Sequence, residues 1–381
     1  MRASLPTVIL MLTTGLGWLG WPATPAEAAA PGVAQATDSP AAANGEIVAP
    51  GQVVNQGQLQ AQGPFLGQGA WCDEGQCEGA MAGCGAACCA PCGRCSPRWS
   101  FTAEAIALER TTTRSVPLFT ANTVAATDLL DANNINFPVG YGPKVSAIRH
   151  GVCGFDVEAS YFQIQGITAS GFVPGTSQMT DGFGSTLLVT GGTANYTSTL
   201  YNGELNLRRQ VTQRLTLLGG FRMVELDEHY LGSGADPFAP GSVFNVSTST
   251  YNHLFGGQIG ADFQMINRGG PLQINVVCKA GVLGNSADQN YRLDASGTPL
   301  QLISAPSSCE TSFLGDTAVV ATYAVTKHLA LRASIDAIWL TGVGLAPEQL
   351  SSVNLRNQSD FVNTSGGVFY YGGSLGMECR F

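Results

Sequence analysis

From Trp99 to Phe381 the sequence keeps a two-residue rhythm, with apolar side chains on one parity and polar or small ones on the other. That period belongs to the β-strand, whose successive side chains point to opposite faces. Phe369, Tyr371, Leu375, Met377, Cys379 and Phe381 share one face, against Ser374, Glu378 and Arg380. Leu215, Leu217, Phe221 and Met223 oppose Thr216, Gly220 and Arg222; Ile274, Val276, Cys278 and Ala280 oppose Gln273, Asn275 and Lys279. Leu331, Ala333, Ile335, Ala337 and Trp339 oppose Arg332, Ser334 and Asp336. Each apolar face is about five positions long, close to what a tilted strand of roughly 9–11 residues needs to cross hydrocarbon.

Ten strands are expected, at 100–110, 142–150, 154–165, 196–209, 215–228, 250–265, 272–283, 310–325, 329–341 and 367–381. Between them, short turns (151–153, 210–214, 266–271, 326–328) alternate with long connections (111–141, 166–195, 229–249, 284–309, 342–366). A soluble all-β domain has no reason to sort its connections by length, whereas a transmembrane antiparallel β-barrel does: short turns inside, long loops outside. The fold expected is therefore all-β, a transmembrane barrel of about ten strands with twelve as the alternative, over residues 99–381.

The N-terminal quarter is organised differently. Arg2, an apolar stretch from Leu5 to Trp21 and the small-x-small site Ala26-Glu27-Ala28 read as a signal peptide over residues 1–28. Residues 29–70 are rich in Ala, Gly, Gln and Pro and read as a linker. Residues 71–98 form a Cys-rich segment expected in the periplasm, holding Cys72, Cys77, Cys84, Cys88, Cys89, Cys92 and Cys95. Export to an oxidising compartment favours disulfides there; zinc ligation and cross-linking to another chain are the alternatives, and the odd number invites pairing with Cys153 or Cys309. With 18 Lys+Arg against 27 Asp+Glu, the chain carries no basic surface for nucleic acid.

Four sequence stretches carry a family resemblance. Glu204-Leu205-Asn206-Leu207-Arg208-Arg209, Gly220 to Glu228, Phe255-Gly256-Gly257-Gln258-Ile259-Gly260 and the ending Gly376-Met377-Glu378-Cys379-Arg380-Phe381 resemble the type-seven β-barrel porins abundant in planctomycetes. The resemblance covers roughly residues 99–381 and implies a bacterial outer-membrane barrel with no established catalytic residue. The first strand, Phe101 to Arg110, lacks the family's Trp-rich character.

Parity assigns Glu104, Asp156, Glu158, Glu204, Asp262, Asp316, Asp336 and Glu378 to the lumen, together with Arg208, Arg222, Lys279, Arg332 and Arg380. In so narrow a barrel such opposed charges are expected to fill the interior as a self-satisfying network; a thin cation-leaning water path, with Phe162 standing aside, is the alternative. Glu225 and Asp227 continue the lipid-facing parity and should mark the outer edge of the membrane. Trp339, Tyr230 and Phe369 are expected at the outer interface, Trp99, Phe101 and Phe381 at the inner one. A terminal Phe381 on an amphipathic strand matches the signal read by barrel-assembly machinery. No histidine (His150, His229, His253, His328) has metal-ligand spacing, and no cofactor or metal is expected. His150 and His328 border turns as solvated rim residues, and His253 with Ser247 or Ser249 is the nearest approach to a catalytic pair. The expected role is non-enzymatic: a surface-anchoring envelope protein held by outer-membrane lipid and open to envelope cross-linking through its cysteines. A narrow porin-like channel is second and an outer-membrane hydrolase remote.

Overall fold

The structure is a computed structural model and describes residues 98–381, apart from 113, 124–126, 153, 182–185, 268, 297 and 353–360. In chain order the strands are β1 (Trp99–Thr112), β2 (Pro117–Ala121), β3 (Asp128–Asp131), β4 (Gly140–Val152), β5 (Phe155–Thr180), β6 (Thr186–Gln210), β7 (Leu215–Ala235), β8 (Val243–Asn267), β9 (Leu272–Ala295), β10 (Thr298–Ala324), β11 (Leu329–Val343) and β12 (Gly366–Arg380). Ten of them form a closed antiparallel barrel; β2 and β3 add to β5 outside the ring. Closure is made by β1 against β12, in register from Ser100↔Arg380 to Thr112↔Val368. Reciprocal backbone bonds between Trp99 and Phe381 complete it. A closed ring leaves no unpaired backbone edge in its wall, the condition for a sheet to sit in lipid.

The distribution of side chains is the reverse of a soluble protein's. Phe221, Ile259 and Leu375 project outward with 72%, 73% and 69% of their surface exposed, while Glu104, Glu204, Arg222 and Asp336 are buried inside. Soluble monomers bury the first group and expose the second. The fold is thus that of an outer-membrane-type barrel with an apolar outer belt. At one edge of the belt Trp99 stacks on Phe101 at 5.6 Å, and Phe101 meets Phe381 edge-on at 6.4 Å. At the other edge Phe369, paired across strands with Trp339, stacks on Tyr371 at 5.9 Å. Beyond it, on the same outer face, Glu225 lies 3.7 Å from His253.

The long connections are shorter than the alternation alone suggests. β5, β6, β8 and β10 run for 26, 25, 25 and 27 residues. That is more than twice the roughly 9–11 that hydrocarbon requires. Much of 166–195, 229–249 and 284–309 is therefore barrel wall, rising well beyond the belt at the end away from Trp99 and Phe381. The reason these stretches resemble loops is local. Register shifts interrupt β5 between Ile164 and Ile167 and between Val173 and Thr176, and β6 between Thr190 and Thr193. At these breaks Gly166 and Gly191 adopt φ of +60° and +66°. The bulges at Gly166 and Gly191 move the inward side chain to the other parity: Phe162 and Ile164 are buried before the first, Ile167 and Ala169 after it, and Val189 before the second, Ala194 and Tyr196 after it. A single two-residue template cannot follow such a phase change, and the Thr- and Ser-rich outer face completes the disguise.

Candidate functional site: a layered lumen and its mouth

The inward residues of the barrel stack into three layers. The first, nearest Trp99 and Phe381, is ionic. Arg208 bridges Glu158 at 2.8 Å and Asp262 at 2.6 Å, while Arg222, with a fully buried side chain, joins Asp316 at 3.0 Å and Glu204 at 3.6 Å. Glu204 also takes hydrogen bonds from Lys279 at 2.7 Å and Gln258 at 2.9 Å. Lys144 links Asp336 at 2.9 Å to Glu104 at 3.8 Å; Arg332 reaches Glu104 at 3.1 Å and Glu378 at 3.6 Å; and Arg380 bonds Glu378 at 2.6 Å. All thirteen residues assigned to the lumen by parity lie on the inner face, and twelve of them belong to this network. Asp156 sits apart, at the mouth. Charges taken out of water are tolerated when paired, and each charge of this network has an opposite partner within 4 Å, although Glu104 Oε1, Arg222 Nη2 and Arg332 Nε make no hydrogen bond.

Three inward charges escaped the sequence reading. Lys144 follows Pro143 at the start of a strand, Arg110 lies where β1 ends, and Glu228 sits in the segment treated as a rim. With these three added, the charges of the network and the two layers beside it come to nine acids and seven bases among the described residues, nearer balance than eight against five.

Above the ions lies an apolar layer. Phe162, Leu200, Val224, Leu314, Leu340 and Tyr370 line a void of about 10 Å³, which Asn202 and Arg222 join from the ionic side. Phe162 does not stand aside.

The third layer is a plug. After β11 the chain turns inward, and the 3₁₀ turn Pro347–Ser351 buries Pro347, Glu348, Gln349 and Leu350. Asn252 clamps Gly344, donating to its carbonyl at 2.9 Å and accepting from its N–H at 2.7 Å. The Ala346 N–H donates to Glu228 at 3.1 Å. Glu228 in turn is ion-paired with Arg110 and accepts from the Tyr196 hydroxyl. The Arg110 guanidinium lies 4.5 Å above the Phe137 ring and 4.9 Å from that of Tyr196. Tyr230 belongs to this interior, with 1% exposure, rather than to the outer interface. Its even number on β7 gives it the inward parity of Arg222 and Glu228, and parity overrides the preference of aromatic rings for an interface.

Glu348 gives the plug a pH dependence. Its carboxylate oxygens are buried without a hydrogen-bond donor, with Arg114 at 3.7 Å. Burial pushes this carboxyl up to about 7, Arg114 and Arg110 opposing the rise and Glu228 adding to it. The seated plug therefore binds a proton that a released, solvated Glu348 gives up near its ordinary value of 4.5. Seating is firmest below that value, weakens as pH rises through about 7, and is constant above. Amide protection factors over 344–352 are expected to be higher at pH 5 than at pH 8, and Glu348→Gln to remove the difference.

At the terminal mouth a second constellation lines the ionic cavity, whose volume is about 230 Å³. His150, last but two in β4, faces inward. Its Nδ1 lies 3.0 Å from an Asp156 carboxylate oxygen and its Nε2 lies 2.9 Å from Ser100 Oγ. Asp156 also accepts from the Gly151 N–H at 2.9 Å. Ser100 was missed because its nearness to His150 follows from the β1–β4 register, in which Ser100 faces Ile148. At the far side His253 points outward to Glu225, and Ser249 bonds His229 at 2.9 Å instead. Among the described residues no group of three or more His, Cys, Asp or Glu is arranged to hold a metal ion.

Cys72 to Cys95 and Cys153 lie outside the described residues. Cys278 and Cys379 are free thiols on the outer face of the belt. Cys309, also free, lies on β10 toward the end away from Arg98, where the preceding segment joins the barrel.

No family model matches the chain, and no curated protein sequence matches it. Solved structures similar to it include the outer membrane protease OmpT of Escherichia coli, at 12% identity and a TM-score of 0.43 over 74% of this chain and 96% of that one. The toluene transporter TodX of Pseudomonas putida matches at 8% identity and a TM-score of 0.28, over 75% of this chain and 91% of that one. The toluene transporter TbuX of Ralstonia pickettii matches at 9% identity and a TM-score of 0.21, over 75% and 90%.

Proposed function

We propose that this protein is a closed anchoring barrel of the bacterial outer membrane, which holds a tall β-wall at the cell surface and an N-terminal arm in the periplasm. The observation that carries this reading is the stacking of two closures above the ion-lined cavity in one lumen: an apolar constriction and an inserted loop. A channel needs sites weak enough to release what they bind, and side chains locked in mutual ion pairs offer none. The wall beyond the belt is built at the cost of long strands that crossing lipid does not require, which fits a role in surface contact. In this reading Phe381 presents the last strand to the assembly machinery, and Cys72 to Cys95 supply links to other envelope components.

Purified barrel in planar lipid bilayers is expected to insert without steady conductance at neutral pH. A stable, cation-biased conductance would replace this reading with the narrow channel that the slight excess of inward carboxylates favours.

A further inference from the structure

Three strands bring a serine, a histidine and an aspartate together at the terminal mouth, and the anchoring role uses none of them. Because an ionised Asp156 can only accept, the hydrogen of the His150 imidazole must sit on Nδ1, at 3.0 Å from that carboxylate. The neutral ring then presents a bare Nε2, which accepts from the Ser100 hydroxyl at 2.9 Å. Asp156 is itself oriented by the Gly151 N–H. The order of contacts is nucleophile, base and orienting acid, each within hydrogen-bond reach of the next. A rim histidine that served only to be solvated would need neither neighbour.

The surroundings suit acyl transfer. Ser100 and His150 both line the cavity of about 230 Å³, whose volume admits an acyl group of a few carbons. Ile148, on the same face of β4 and directly across from Ser100, gives that group an apolar wall. Arg380 pairs with Ser100 in the β1–β12 register and lines the same cavity, so that, while its Nε holds Glu378 at 2.6 Å, it adds positive charge to the space where negative charge would develop.

We propose that Ser100, His150 and Asp156 constitute a hydrolytic site for short-chain carboxylic esters entering through the terminal mouth. Ser100 Oγ attacks the ester carbonyl carbon as its proton passes to His150 Nε2, and the carbonyl oxygen becomes an oxyanion in the cavity that Arg380 lines. The C–O bond to the alcohol breaks, and the alcohol departs with the proton from His150. Water then attacks the acyl-Ser100 ester, giving its proton to Nε2; release of the acid returns that proton to Ser100. The sum is ester plus water to acid plus alcohol. This goes beyond the anchoring role and stands whether or not the lumen conducts.

Folded full-length protein in detergent micelles, checked by its resistance to SDS before boiling, is treated with a fluorophosphonate and assayed with p-nitrophenyl acetate. A single phosphonyl adduct on Ser100 is expected, with ester turnover abolished by Ser100→Ala. His150→Gln should slow both reactions about 10²–10⁴-fold, the contribution of a positioned base. The proposal is overturned if folded wild type carries no adduct on Ser100, if the adduct maps elsewhere, or if His150→Gln labels at the wild-type rate. Should Ser100→Ala fail to assemble, mapping on the wild type and the rate of the His150 variant decide alone.

Discussion

Replacing Glu228 with Leu is expected to lower the stability of the folded barrel by about 3–5 kcal/mol, the cost of leaving a buried charge without its partner. Arg110 and Glu228 both have side chains of 0% exposure, so neither can turn to water when the other is removed. The rings of Phe137 and Tyr196 stay beside the guanidinium, yet a cation–π contact contributes only about 0.5–2 kcal/mol. The same change strips an acceptor from the Ala346 N–H and the Tyr196 hydroxyl, loosening the plug as well as the wall. Urea unfolding in micelles measures the loss. The double variant Arg110→Met, Glu228→Leu should recover most of it, because an apolar pair of similar volume needs no compensation. A loss below about 1 kcal/mol in the single variant would mean that water reaches the pair, and the lumen would not be sealed at that level.

What the sequence discloses and what it withholds follow from the range of each physical rule. Parity is local and strict, so the inward placement of Glu204, Arg222, Lys279 and Asp336 can be read from numbering alone. Partner choice is not local: Arg222 meets Asp316, 94 positions on, only because β7 and β10, with β8 and β9 between them, turn both side chains into one narrow lumen. The Ser100–His150–Asp156 contact is hidden for the same reason. Ser100 and His150 are 50 positions apart, and they meet only once β1 pairs with β4 in one particular register. Bulges defeat the rule differently, since one extra residue at Gly166 or Gly191 reverses inside and outside for everything beyond it. The plug was invisible because Pro347, Glu348 and Gln349 read as a solvated loop. They are buried by the barrel around them and not by any pattern of their own.

Ile259 lies near the middle of the belt and is 73% exposed on the outer face. If that face meets lipid tails, Ile259→Arg puts a guanidinium into hydrocarbon at a cost of about 2–4 kcal/mol, which falls to about 0–1 kcal/mol at the interfaces. His253→Arg, on the same face and strand but beside Glu225 at the edge of the belt, is the matched control. If the face instead met water, arginine at position 259 would change stability by no more than about 0.5 kcal/mol, as at any exposed site. The decisive measurement is the unfolding free energy of the two variants in phospholipid vesicles. A loss of about 2–4 kcal/mol at Ile259 with little change at His253 is expected of a lipid-embedded barrel. Equal, near-zero changes at both positions would show that the outer belt does not face a membrane.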